Sequence, residues 1–166
     1  MPGFNYISKP TLSIRAIHSI LIINFVQYSI ALNIGLGKHN IYLGPEYNII
    51  LDPIKGDPVD VYEKYNWGLN FGYRYYSNEL FKKMKLFGQF NFSIYQLKYK
   101  SHSLGNPIAE NQKDAIVENT ASIGLNYNMY KSFNIFLGAG FGSYDGFFLI
   151  LESFTPSIYV GVDYRF

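Results

Sequence analysis

The residues able to do chemistry in this chain are few and scattered. His102, Ser103 and Glu110 share one polar stretch, "SHSLGNPIAE", and supply the residue types of a hydrolytic triad. Such a triad needs nucleophile, base and orienting carboxylate within hydrogen-bond reach of one another. Nothing in this spacing enforces that, and a solvated loop accounts for the three residues better. Asp52, Asp57, Asp60 and Glu63 could gather a divalent cation, but their spacing is not that of a calcium loop, and Pro53 and Pro58 mark a turn-rich segment. "GLGKHN" and "GAGFGS" carry the glycines of a phosphate cradle, yet neither opens a helix behind a strand, which that chemistry requires. The absence of Cys excludes thiol catalysis, disulfides and Cys-ligated metals. The expectation is therefore a protein that is not an enzyme, with no catalytic, cofactor or metal site.

Five other charges stand alone among small polar residues: Glu46, Arg74, Glu118, Asp163 and Arg165. If they face a common interior they could form an ion pathway or a gate of switchable salt bridges. They could equally form a plug, because charges buried in a narrow space must pair. The plug is the expectation, since a small barrel leaves little room for water.

What would place these charges together is a set of strands. In "SIYVGVDYRF", Ile158, Val160, Val162, Tyr164 and Phe166 alternate with Tyr159, Gly161, Asp163 and Arg165, so one face is oily and the other polar. Five more segments repeat the pattern: "NIYLGPEYNIIL", "YNWGLNFGYRYY", "LFGQFNFSIY", "VENTASIGLNYNMY" and "NIFLGAGFGSY". Their polar faces are Gly, Asn, Ser, Thr and Gln with isolated charges. Lys and Glu, which would cover the outside of a soluble sandwich or lipocalin, are nearly missing from mid-strand. Aromatics reach 19 % of the chain and charged residues only 16 %, below the roughly 25 % of ordinary soluble domains. A formal net charge of +2 also argues against a nucleic-acid partner.

The inverted arrangement fits: apolar side outward to lipid, polar side inward. A closed barrel satisfies its backbone polar groups internally and so can cross a bilayer with strands. The predicted fold is all-β, a transmembrane up-and-down antiparallel barrel of about eight strands, six of which read clearly. Links near 77–84 and 131–132 are short, whereas 52–64, 101–114 and 145–156 are longer. Tyr127, Tyr130 and Phe133 bracket one short turn and Tyr75, Tyr76 and Phe81 the other, where an interfacial girdle belongs.

The N-terminal region reads differently. "MPGFNYISKPTLSIRAIHS" has Lys9 and Arg15 and no acid, "ILIINFVQYSIA" is mostly apolar, and Ser29 and Ala31 are small. That order predicts a secretory signal over residues 1–31, cleaved after Ala31, and a barrel domain over 32–166. The alternative is that residues 20–31 stay and form a strand, with "LNIGLGKHN" supplying another.

The ending "IYVGVDYRF" resembles the assembly signal of Gram-negative outer-membrane proteins, with Phe166 terminal and Tyr164 third from the end. Together with "LFGQFNFSIY" and "ASIGLNYNMYKSFNIFLGAGFG", it is similar to the small OmpA-type, porin-like outer-membrane barrels, over roughly Ile41 to Phe166. The resemblance implies outer-membrane localisation, lipid as the surrounding partner, and reading of Tyr164 and Phe166 by the barrel-assembly machinery. It implies no single activity, because this architecture hosts anchors, adhesins, pores and enzymes. A lipid-modifying enzyme and a soluble lipocalin-like barrel holding an apolar ligand remain the alternatives.

Overall fold

The computed structural model describes residues 10–21, 25–51, 59–61, 65–103, 106–145 and 155–166. They form β1 (Thr11–Leu21), β2 (Phe25–Leu36), β3 (His39–Ile50), β4 (Val59–Val61), β5 (Tyr65–Phe81), β6 (Met84–Ser103), β7 (Asn106–Tyr130), β8 (Phe133–Asp145) and β9 (Thr155–Arg165), with no helix among the described residues. Every pairing is antiparallel. The order around the sheet is β6-β5-β3-β2-β1-β9-β8-β7, and β7 pairs back onto β6, closing an eight-stranded barrel. The three-residue β4 lies outside that circle, paired only to β6 at Tyr99–Ser101.

Closure follows from the alternation. Each strand has one side that gains by leaving water and one that must find hydrogen-bond partners, and the circle gives both what they need. Outward are Leu12, Ile30, Leu43, Trp67, Leu69, Phe90, Ile123, Leu137 and Val160, with Trp67 at 70 % and Ile123 at 72 % exposure. Such values in water would be costly apolar surface; in a bilayer they are the lipid contact. Tyr47, Tyr65 and Trp67 cluster at the long-loop end, with Tyr47 and Trp67 ring centroids 4.7 Å apart. Tyr75, Phe81, Tyr127, Tyr130 and Phe166 mark the short-turn end. From Tyr65 to Tyr75 along tilted β5 the rise is about 25 Å, the height of a lipid-facing band.

Two-residue links join strands at that end: Gly37-Lys38, Lys82-Lys83 and Lys131-Ser132. Gly37 (φ 63°) and Lys83 (φ 73°) take the left-handed backbone that tight turns require. Inside, large aromatics lie over glycines of the adjacent strand: Tyr42 opposite Gly72, Phe87 opposite Gly124, and Phe136 and Tyr159 opposite Gly161 and Gly138. A Cβ at Gly72 would run into the Tyr42 ring, and one at Gly161 into the Phe136 ring. These glycines are the seats of the aromatic layer.

Three expectations need correction. Among the described residues the first barrel strand starts at Thr11, ahead of residue 32: β1 pairs with β2 and β9, and Ala31 sits inside β2 opposite Arg15. What reads as a basic stretch before an apolar run is again a two-sided strand, with Leu12, Ile14 and Ile20 outward and Ser13, Arg15 and Ile17 buried. Residues 1–9 and 22–24 lie outside the described residues. Residues 101–103 and 106–114 are strand and not loop, because β6 and β7 pair through them to Ser103 and Asn106. Tyr76 turns inward rather than joining the girdle, its hydroxyl facing Arg15 and Arg74.

Candidate functional site: a layered lumen

The interior is a stack of layers along the barrel axis. At the short-turn mouth is an open vestibule of about 290 Å³ whose lining includes Lys38, Lys83, Lys85, Glu79 and Arg165. Below it, Arg15 on β1 and Asp163 on β9 are cross-strand partners. Arg15 Nε donates to Asp163 Oδ1 at 2.7 Å and Nη2 to Oδ2 at 3.1 Å, so the carboxylate is gripped by two parallel bonds. The Arg15 side chain has no exposed surface and its guanidinium lies 4.6 Å from the Tyr42 ring centroid.

Arg74 on β5 is buried as completely, without a carboxylate. Its Nε donates to Oε1 of Gln89, the residue opposite it on β6, at 2.7 Å. Its guanidinium carbon lies 3.9 Å from the Phe87 centroid and 4.0 Å from that of Phe136. The electron-rich faces of two rings thus stand where a counter-ion would otherwise be needed. Phe87 and Phe136 meet edge to face at 87°, and with Tyr42, Tyr159, Ile17 and Ala31 they form the apolar layer of the lumen. Tyr42 bonds to Asn91, and the Tyr159 and Ser122 hydroxyls are 2.8 Å apart.

Beyond that layer, toward the long loops, the charge changes sign. Glu46 on β3 and Glu118 on β7 are 2 % and 3 % exposed and line one small cavity. Glu46 Oε2 accepts from Asn70 Nδ2 (3.1 Å) and Ser93 Oγ (2.9 Å). Glu118 accepts from Gln27 Nε2 (2.6 Å) and Thr120 Oγ1 (3.1 Å). Neither forms an ion pair among the described residues.

Of the five charges singled out by sequence, Glu46, Arg74, Glu118 and Asp163 are therefore inside and buried, while Arg165 is exposed at the mouth. They do not join into one network. Asp163 pairs with Arg15, a residue hidden from the sequence argument by its place in the supposed leader. Gln27 was hidden in the same way. Tyr164 and Phe166 face outward with ring centroids 5.6 Å apart, and the Phe166 amide donates to the Leu12 carbonyl at 3.1 Å.

No described arrangement resembles a nucleophile with its base. His18 packs on Tyr28 and His39 bonds Tyr73 at 2.7 Å, both on the outer surface. The backbone of Ser101–Ser103 is strand; the side chains of His102, Ser103 and Glu110 lie outside the described residues, as do Asp52, Asp57 and Glu63.

No protein-family model and no curated protein matches the sequence. Solved structures do match in fold. The N-terminal β-barrel domain of Pseudomonas aeruginosa OprF superposes with a TM-score of 0.58 at 12 % identity, covering 94 % of this chain and 97 % of that one. Neisserial surface protein A gives 0.59 at 8 % identity, covering 95 % and 96 %. Ail, the attachment invasion locus protein of Yersinia pestis, gives 0.50 at 12 % identity, covering 95 % and 97 %. The fold is that of the small eight-stranded outer-membrane barrels, and the apolar belt makes it a transmembrane one.

Proposed function

We propose that this chain is a small non-enzymatic barrel of a Gram-negative outer membrane, with a self-filled lumen and outward strands and loops that contact the envelope or an external partner. The observation that carries this reading is the lumen itself. Arg15, Arg74, Tyr42 and Phe136 are each at most 1 % exposed, which supports a lumen closed to an aqueous path. The part best suited to contact is the β6–β7 hairpin. Among the described residues β7 pairs with β8 from Val117 onward and with β6 back to Asn106, and β4 adds a third strand on the far side of β6. The segment 106–116 spans roughly 30 Å along its strand direction.

On this reading, Tyr164 and Phe166 present the signal recognised by the barrel-assembly machinery, and Thr11–Ala31 remains in the inserted protein. The test is expression of the native chain, fractionation, and gel migration with and without boiling, followed by reconstitution into dye-loaded lipid vesicles. Expected are outer-membrane recovery, heat-modifiable migration, an intact mass that retains Arg15, and no dye release. Soluble recovery would overturn the membrane assignment, and rapid release of a small dye would overturn the filled lumen. Deleting Phe166 should lower the outer-membrane level several-fold while deletion of a loop residue does not; equal levels would remove Phe166 from the assembly signal.

A further inference from the structure

We propose that the chamber between Glu46 and Glu118 binds one hard divalent cation, with calcium the best fit. Two carboxylates line the same small cavity, and both arginines of the lumen are occupied elsewhere: Arg15 by Asp163, and Arg74 by Gln89 and two aromatic rings. Buried charge of one sign calls for a partner of the other. The chamber also holds oxygens that have no hydrogen-bond partner: Glu46 Oε1, Asn70 Oδ1 and Ser157 Oγ. Glu46, Asn70 and Ser157 are 2 %, 1 % and 5 % exposed and all line the cavity. Unsatisfied buried oxygens from three separate strands, lining one cavity with two carboxylates, are what a cation site needs.

The donor set decides which cation. It contains oxygen only, with no sulfur or imidazole among the lining residues, which suits magnesium, calcium or manganese and not zinc or copper. The cavity is about 20 Å³. That exceeds the ~10–15 Å³ needed for a single water-sized occupant but leaves no space for the several waters magnesium usually keeps. Calcium accepts irregular oxygen shells from carboxylates, amide carbonyls and hydroxyls. Two carboxylates match its charge. Their other bonds, from Asn70, Ser93, Gln27 and Thr120, hold both groups in place before any ion arrives.

The test uses the full chain refolded in detergent micelles, stripped with chelator and titrated with calcium chloride alone. Bound calcium is read by equilibrium dialysis and thermal unfolding is followed in parallel. Expected is one calcium per chain, a Tm that rises with calcium, and at least tenfold weaker binding in Glu46→Gln and in Glu118→Gln, both near-isosteric changes. Absence of bound calcium overturns the proposal. Binding that persists unchanged in both variants also overturns it, by moving the ion to the acids of 52–63. Should a variant fail to migrate as a folded barrel, terbium(III) on the unmodified chain gives an independent reading. Tyr159 lines the chamber, so bound terbium should show tyrosine-sensitised emission that calcium displaces; no such emission refutes the site.

Discussion

The two halves of the lumen solve the problem of buried charge in different ways. On the short-turn side each buried arginine has a fixed partner supplied by the chain: a carboxylate gripped by two bonds for Arg15, two ring faces and an amide for Arg74. On the long-loop side Glu46 and Glu118 meet only neutral donors. Between them lies the layer of Tyr42, Phe87, Phe136 and Tyr159. Charge inside one small barrel is thus sorted along its axis rather than mixed. The basic half is complete as folded, whereas the acidic half depends on what it can recruit.

The largest effect should come from breaking the Arg15–Asp163 pair. Asp163→Ala strands a buried guanidinium and should lower unfolding stability in lipid vesicles by about 3–5 kcal/mol. Replacing both partners by apolar residues of similar volume should recover much of that loss; if it does not, the pair does more than neutralise charge. A cation placed on the outer wall is the control for position. Ile123→Arg faces mid-bilayer lipid and should cost about 2–4 kcal/mol wherever the lumen charges lie, and a neutral result would mean that the faces are reversed. Arg74→Lys keeps the charge but loses the flat group that lies on two rings, for about 1–2 kcal/mol in the same assay. A loss as large as that for Asp163→Ala would show that geometry outweighs charge throughout the basic half. The smallest change is expected for Glu118→Gln in chelator, within about 1 kcal/mol of neutral, because its partners are neutral already. A strongly destabilising value there would show that the acidic half is also complete without help.

The sequence carried more of the wall than of the interior. β3 and β5 to β9 are legible because Phe, Tyr and Leu alternate with Gly, Asn and Ser, and a period of two has only one structural meaning over such lengths. β1 and β2 were obscured by the same residues read as a composition: Arg15 before an apolar run looks like a leader until its neighbours are sorted by side. Strand parity also placed Glu46, Arg74, Glu118 and Asp163 inward. It could not say which of them meet, because that depends on the register and tilt of strands far apart in the chain. Arg15 and Asp163 are separated by 148 positions. Nor could parity set Arg165 at the mouth and not in the interior, since inward direction says nothing about depth. The aromatic layer left a usable trace, in that Tyr42, Phe87, Phe136 and Tyr159 are bulky residues on otherwise small polar faces, but only the register shows a glycine opposite each one.

The seam between β1 and β9 carries a consequence for how the circle forms. It joins the first and last strands of the barrel, so it is the contact with the longest chain separation and the largest entropy of closure. Until it forms, both strands present open edges. The bidentate bond across this seam can exist only once the two edges meet, so it adds little to the transition state if closure comes late. Its contribution then falls on the unfolding limb of the kinetics: loss of Asp163 should speed opening far more than it slows assembly. The pair is in that sense a clasp, silent while the sheet is being wound and felt only when something tries to unwind it.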